Sequence, residues 1–291
     1  MLPLLVALTA LLLPPRPGAE PELLLTGFAE VHRVGQIDSR PPSVQSVRVG
    51  SLDGIAEAHR DLFGTTDECK PLPGGRWLVA SSGGGVAVLE ADGARASFSA
   101  AVPNAHSVEL LPGGRLVCAA STHAEGNRLL VHDLATGALV QQFALTSAHG
   151  VHYRAEDERL YALGMAHLCV YAVDGETGEL RFERRHDLPE GADASGHDLS
   201  PVPGTDELIM TTHAHVWLFD VRAATFRRHP QLGDLARVKS VDVHPTSGRI
   251  AYVQASEEHW WSESVQLLRP TGELRVPGQR FYKARWRVAG R

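Results

Sequence analysis

The chain has only three cysteines in 291 residues: Cys69, Cys118 and Cys169. Their odd number, wide separation and apolar strand-like settings argue against a disulfide framework or a cysteine-based metal site. All three read as small buried hydrophobes. There is no basic block, and the net charge is −6, so nucleic acid is not an expected partner and neither is an anionic membrane surface. Beyond the N-terminus no long apolar run occurs, so no membrane span is expected. The chain also lacks a Gly-x-Ser-x-Gly elbow, a His-Glu-x-x-His pair, a glycine-rich dinucleotide turn before a helix, and a P-loop. No nucleotide cofactor is therefore expected. Ser81-Ser-Gly-Gly-Gly85 imitates a phosphate loop but leads into no helix, and reads as a tight strand connection.

The opening run Met1–Leu13 is too short to cross a membrane, and Pro-Pro-Arg-Pro-Gly-Ala follows it. Residues 1–19 read as a cleaved secretory signal without the usual basic start. The alternative is an apolar tail or a misassigned start codon. Residues 20–291 then form one domain, expected to be secreted or periplasmic and monomeric.

What is present is a globular composition, with 43% hydrophobic and 21% charged residues, and an unusual fifteen histidines. It also contains a repeat. Hairpins begin at Asp67, His106, His149, His197 and Lys239, spaced by 39, 43, 48 and 42 residues. In the second, His106-Ser-Val-Glu-Leu-Leu turns at Pro112-Gly113-Gly114 and returns through Arg115-Leu-Val-Cys-Ala-Ala. Two further strand-like runs follow each hairpin, as in 127–134 and 139–144. Four short antiparallel strands per 40–50 residues indicate propeller blades. The lone C-terminal strand 281–288 and three N-terminal strands near 22–26, 29–34 and 44–49 complete one more blade. That closure pairs otherwise open edges. The expectation is an all-β, six-bladed propeller. A seventh blade would have to hide in residues 51–66, which read as loop or helix.

In this register the first-strand starts ring one mouth of the central channel: Asp67, His106, His149, His197, Lys239 and Lys283. The second-to-third strand loops bring His123, His167 and His215 to the same face, with Glu257, His259, Trp260 and Trp261 in the fifth blade. With His213, two residues from His215, eight histidines fall there. Singly each is most simply a hydrogen-bonded structural residue. Together, three neutral imidazoles from adjacent blades suit a divalent transition metal. Lys239 and Lys283 read either as partners of a substrate carboxylate or as ion-paired lysines, and a buried lysine can act as a base. Tyr282 is a candidate acid or a core tyrosine. Trp260 and Trp261 read either as a sugar-stacking wall or as a loop anchor.

Several strings resemble a family of bacterial six-bladed propellers of unknown function, DUF6528: Ser81-Ser-Gly-Gly-Gly-Val-Ala-Val, Asn104-Ala-His-Ser-Val-Glu-Leu-Leu-Pro-Gly-Gly, Val238-Lys-Ser-Val-Asp-Val-His-Pro, His259-Trp-Trp and Phe281-Tyr-Lys-Ala-Arg-Trp. This resemblance implies the fold and no activity. In arrangement alone, the histidine mouth is similar to that of propeller polysaccharide lyases of the oligogalacturonate lyase kind, which implies His106, His149 and His197 as ligands of Mn, Zn or Ca. The resulting expectation is a lyase cleaving uronic-acid-containing oligo- or polysaccharides by β-elimination. Lys239, His123 or His215 would be the base, Tyr282 or a protonated histidine the acid. Lys283, Arg285, His259, Trp260 and Trp261 would hold the acidic glycan. The alternatives are a metal-dependent lactonase or esterase, and a sugar- or protein-binding propeller without turnover.

Overall fold

A computed structural model describes residues 21–90 and 93–287, so the expected signal segment lies outside the described residues. Six antiparallel four-stranded sheets are arranged radially. Blade 6 takes β1 (Glu22–Thr26), β2 (Glu30–Gly35) and β3 (Ser43–Arg48) from the N-terminus. Blade 1 is β4 (Thr66–Pro71), β5 (Trp77–Ser81), β6 (Gly85–Glu90) and β7 (Arg95–Ala101). Blade 2 is β8 (Ala105–Leu111), β9 (Arg115–Ala120), β10 (Arg128–Asp133) and β11 (Leu139–Ala144). Blade 3 is β12 (Gly150–Arg154), β13 (Arg159–Leu163), β14 (His167–Val173) and β15 (Leu180–Asp187). Blade 4 is β16 (Asp198–Pro201), β17 (Glu207–Thr211), β18 (Val216–Asp220) and β19 (Thr225–Arg228). Blade 5 is β20 (Val238–Val243), β21 (Ile250–Gln254), β22 (Ser264–Leu268) and β23 (Gly272–Arg275). Finally β24 (Lys283–Arg287) pairs with β1 as the innermost strand of blade 6.

The closure expected from the two termini is thus present, in the order β24-β1-β2-β3. Glu22 joins its strands from the side, pairing with Arg33 and Arg287. Residues 51–66 hold a short 3-10 segment, Glu57–Phe63, and no blade. Hydrophobicity falls outward within each blade. Second strands such as Arg159-Leu-Tyr-Ala-Leu163 are buried on both faces because neighbouring blades cover them. Outermost strands such as Leu139-Val-Gln-Gln-Phe-Ala144 alternate and face solvent. The core is accordingly six apolar clusters rather than one, most of them packed between adjacent blades.

The hairpin turns of blades 1 and 2 give a paired test of packing against backbone strain. Gly74 and Gly113 are equivalent, both left-handed at φ 77° and 63°. A Cβ on Gly74 meets nothing, whereas one on Gly113 comes within 2.4 Å of the Thr177 carbonyl oxygen in blade 3. Gly74→Ala should cost about 1 kcal/mol from φ alone, and Gly113→Ala about 1–3 kcal/mol more. Urea unfolding of both variants checks this, and equal losses would refute the blade contact.

Candidate functional site

Six inner strands, β4, β8, β12, β16, β20 and β24, surround the axis, each touching the next. A local irregularity recurs where each begins: two consecutive residues oppose one on the second strand. Asp67, His106 and Lys239 are the extra residues of bulges in β4, β8 and β20. Likewise the N–H groups of His149, His197 and Tyr282 bond the carbonyls of Leu163, Thr211 and Thr26, which already face Gly150, Asp198 and Lys283. A bulge defeats the alternation of a strand, so neighbours in sequence can turn to the same side. The channel therefore carries stacked rings. At the mouth stand Asp67, His106, His149, His197, Lys239 and Tyr282. Beneath them lie Glu68, Ser107, Gly150, Asp198, Ser240 and Lys283, and deeper still Lys70, Glu109, His152, Ser200, Asp242 and Arg285.

One position differs from expectation. The sixth rim residue is Tyr282, and Lys283 belongs to the ring below. The blade spacing varies, and the closing strand pairs with β1 from the other end of the chain, not with a following hairpin strand that would set its register. The other five rim residues stand as the repeat places them.

The mouth histidines are in contact. The ring centroids of His106 and His149 are 4.2 Å apart, and those of His149 and His197 are 5.6 Å apart. His106 Nδ1 lies 3.0 Å from the Asn104 carbonyl and His149 Nδ1 lies 2.9 Å from that of Ser147. A carbonyl only accepts, so both Nδ1 atoms carry the hydrogen and both Nε2 atoms keep a lone pair. Asn104, Ser147, Ser195 and Arg237 each stand two residues before a rim residue, and all four have positive φ. Such strain persists where surrounding structure enforces it, and clusters at functional sites.

Burial holds His106, His149 and His197 below the ordinary histidine range, with the neighbouring His106 and His197 adding to the effect at His149 and Lys239 adding to it at His197. All three are neutral imidazoles near pH 7. Lys239 Nζ is 2.9 Å from His197 Nε2, and burial lowers the lysine to about 8. Burial also raises the Asp67 carboxyl, opposed by His106, whose Nε2 is 3.8 Å away.

Among the described residues no three His, Cys, Asp or Glu side chains stand in ready coordinating geometry. The donor chemistry nevertheless fits. Two metal bonds of about 2.1 Å at a tetrahedral angle separate their donors by about 3.4 Å. The 3.8 Å between His106 Nε2 and Asp67 Oδ1 is close to that span. His197 would have to exchange Lys239 for a metal.

The outer row is dispersed. His123 is exposed and accepts from the Glu125 N–H in its own loop. His215 is held between the Gly233 carbonyl and Arg228. Among the described residues neither has a hydrogen bond, ion pair or ring contact with the mouth ring. His167 faces Asp187 at 3.0 Å. Only His213 approaches, 6.4 Å from His197 between ring centroids.

The tryptophan loop does reach the mouth. Trp260 is 42% exposed and packs 5.6 Å from Tyr282 and 5.5 Å from Phe28. Trp261 stacks on His259 at 4.3 Å. Two residues of this cluster escaped the sequence reading. Phe28 has a φ of 74°, rare for an aromatic residue. The exposed Arg280 lies over Trp261 at 4.5 Å and over Phe28 at 5.4 Å, with no carboxylate partner among the described residues. Its place two residues before Tyr282 was the available signal.

Lys283 and Arg285, the expected substrate-binding pair, are committed inside the channel. Lys283 is fully buried, 3.2 Å from Glu68 and 3.1 Å from Asp198. Arg285 bonds both oxygens of Glu68 at 2.8 Å and also holds both oxygens of Asp198. Burial would raise both carboxyls, but the two cations hold them below the ordinary range. Two acids and two bases thus fill the middle of the channel and separate its mouths.

Asp242, below them, is different. Burial pushes its carboxyl up to about 7, opposed by Arg285 and by the Trp286 N–H. A raised folded-state value means that the protonated form stabilises the fold. That stability is present below the unfolded value of 3.8 and is lost as pH rises through 7. Three units correspond to at most about 4 kcal/mol. Asp242→Asn should remove this term, leaving the variant more stable than the native protein at pH 8.5 and flattening its melting curve between pH 4 and 8. An unchanged pH slope would refute the assignment.

The radial six-sheet architecture and bulged inner ring define a six-bladed β-propeller with a polar channel mouth. Residues 50–290 match the family of unknown function DUF6528, and the chain belongs to that family. Among solved structures it is similar to "Structure of U3-55K", at 9% identity and a TM-score of 0.51, over 75% of this chain and 68% of that one. That likeness concerns the fold alone. No curated protein matches the chain at a significant level.

Proposed function

We propose that the histidine mouth is the active site of an exported lyase for acidic, uronate-containing glycans. Arg280 carries this reading. It is a guanidinium without a carboxylate partner among the described residues, stacked between Phe28 and Trp261 beside the exposed Trp260, on the rim of a ring containing Lys239. An aromatic face next to an unpaired guanidinium suits a sugar ring bearing a carboxylate. Export rests on the sequence of residues 1–19.

In the reaction, Arg280 would clamp the uronate carboxylate while Trp260 stacks on the ring. Lys239 Nζ, kept partly unprotonated by burial, would remove the hydrogen α to the carboxylate. The electron pair forms the new carbon–carbon double bond, the β-carbon–oxygen bond breaks, and Tyr282 would protonate the departing oxygen. A divalent metal held by Nε2 of His106 and His149 with Asp67, and by His197 once Lys239 turns away, would supply positive charge for the developing carboxylate enolate.

The test is release of ultraviolet-absorbing unsaturated products from a panel of uronate polymers, with metal content measured on the same protein. His106→Ala and His149→Ala should each lose the bound metal and at least about a hundredfold in rate. Uronate binding without product on any polymer would leave a sugar-binding propeller. Absence of metal from the native protein would remove the ligand assignment.

A further inference from the structure

The opposite mouth of the channel opens into a cavity of about 570 Å³, within the range typical of small-molecule sites. Its walls are apolar: Pro71, Leu72, Leu199, Pro201, Val243 and Trp286. The inner ends of β4, β8, β12, β16, β20 and β24 supply its polar floor, and there the cations are already taken. Lys70 bonds Glu109 at 3.1 Å and the Val151 carbonyl. Arg285 is spent on Glu68, Asp198 and Ser200. Arg287, at the edge, pairs with Glu22. The acids are not fully taken. Glu109 uses Oε2 for both Lys70 and His152, and Asp242 uses Oδ2 for the Trp286 N–H. Glu109 Oε1 and Asp242 Oδ1 have no partner among the described residues, and neither belongs to the fully enclosed unsatisfied atoms.

Among the described residues an anion would meet no available cation in this cavity. A cation would meet two acceptor oxygens at the end of an apolar slot. We infer that the cavity binds a small organic cation, a primary amine on a short apolar body, whose ammonium lies between Glu109 and Asp242. This site is independent of the histidine mouth, from which the Glu68–Asp198–Lys283–Arg285 cluster separates it.

Phenethylamine, phenethyl alcohol and phenylacetate are isosteric probes of the three charge types. Ligand-observed NMR titrations on the full chain at pH 8 should show the amine binding at least about tenfold more tightly than the alcohol, with the acid weakest. Asp242→Asn keeps an acceptor for the Trp286 N–H and should abolish the amine preference without unfolding. His106→Ala, at the far mouth, should leave amine binding unchanged. Equal affinity for the three probes, or an amine preference that survives Asp242→Asn, would overturn the proposal. Loss of amine binding in His106→Ala would overturn it as well, by placing the amine at the other mouth.

Discussion

Arg285→Met is expected to lower stability by about 3–5 kcal/mol, the largest effect of any single substitution considered for this protein. The side chain is fully engaged, donating to both oxygens of Glu68 and of Asp198 and to Ser200. Removing it leaves two buried carboxylates with only Lys283 between them. Methionine replaces the aliphatic stem, so the loss is electrostatic rather than a cavity. In a domain of this size the melting temperature should fall by roughly 10 °C. Adding Glu68→Gln to Arg285→Met removes one of the stranded charges and should restore part of the loss. Two results would contradict the picture: a single variant melting within about 1 kcal/mol of the native protein, or a double variant less stable than the single.

Lys239→Met should have the opposite profile. If Lys239 is the base, the rate of uronate elimination falls by about 10²–10⁴-fold, the usual contribution of a positioned proton acceptor. Stability should be retained or rise, because burial disfavours the lysine charge and its neighbour His197 is a neutral imidazole. Kinetics on the responsive polymer, with melting curves on the same preparations, separate the two quantities. A variant that is inactive only because it is unfolded would refute the assignment, as would one with near-native turnover.

The fold was legible because its determinants are local and repeated. Proline-glycine turns at Pro112-Gly113-Gly114 and its equivalents, buried second strands and polar outer strands recur with the blade period. The lone strand near the C-terminus and three near the N-terminus add up to one blade. The histidine ring was legible for the same reason, since equivalent positions in equivalent blades share a place around the axis. Phe28 and Arg280 were not legible. Phe28 lies in the β1–β2 connection outside the hairpin register and Arg280 two residues before a rim position, and only packing brings them against the tryptophan loop.

The sequence by itself determined six blades, the closure between the termini, and five of the six residues at the mouth. Tertiary structure alone decided that Tyr282 takes the sixth place, because blade spacing is unequal and the closing strand takes its register from β1 at the other end of the chain. It alone decided that Lys283 and Arg285 neutralise Glu68 and Asp198, since pairing of buried charges depends on which strands face each other across the axis. His123 and His215 show the same limit from the other direction. A loop can return a histidine to the correct face of the propeller, but the hydrogen bonds of that loop fix where its ring points.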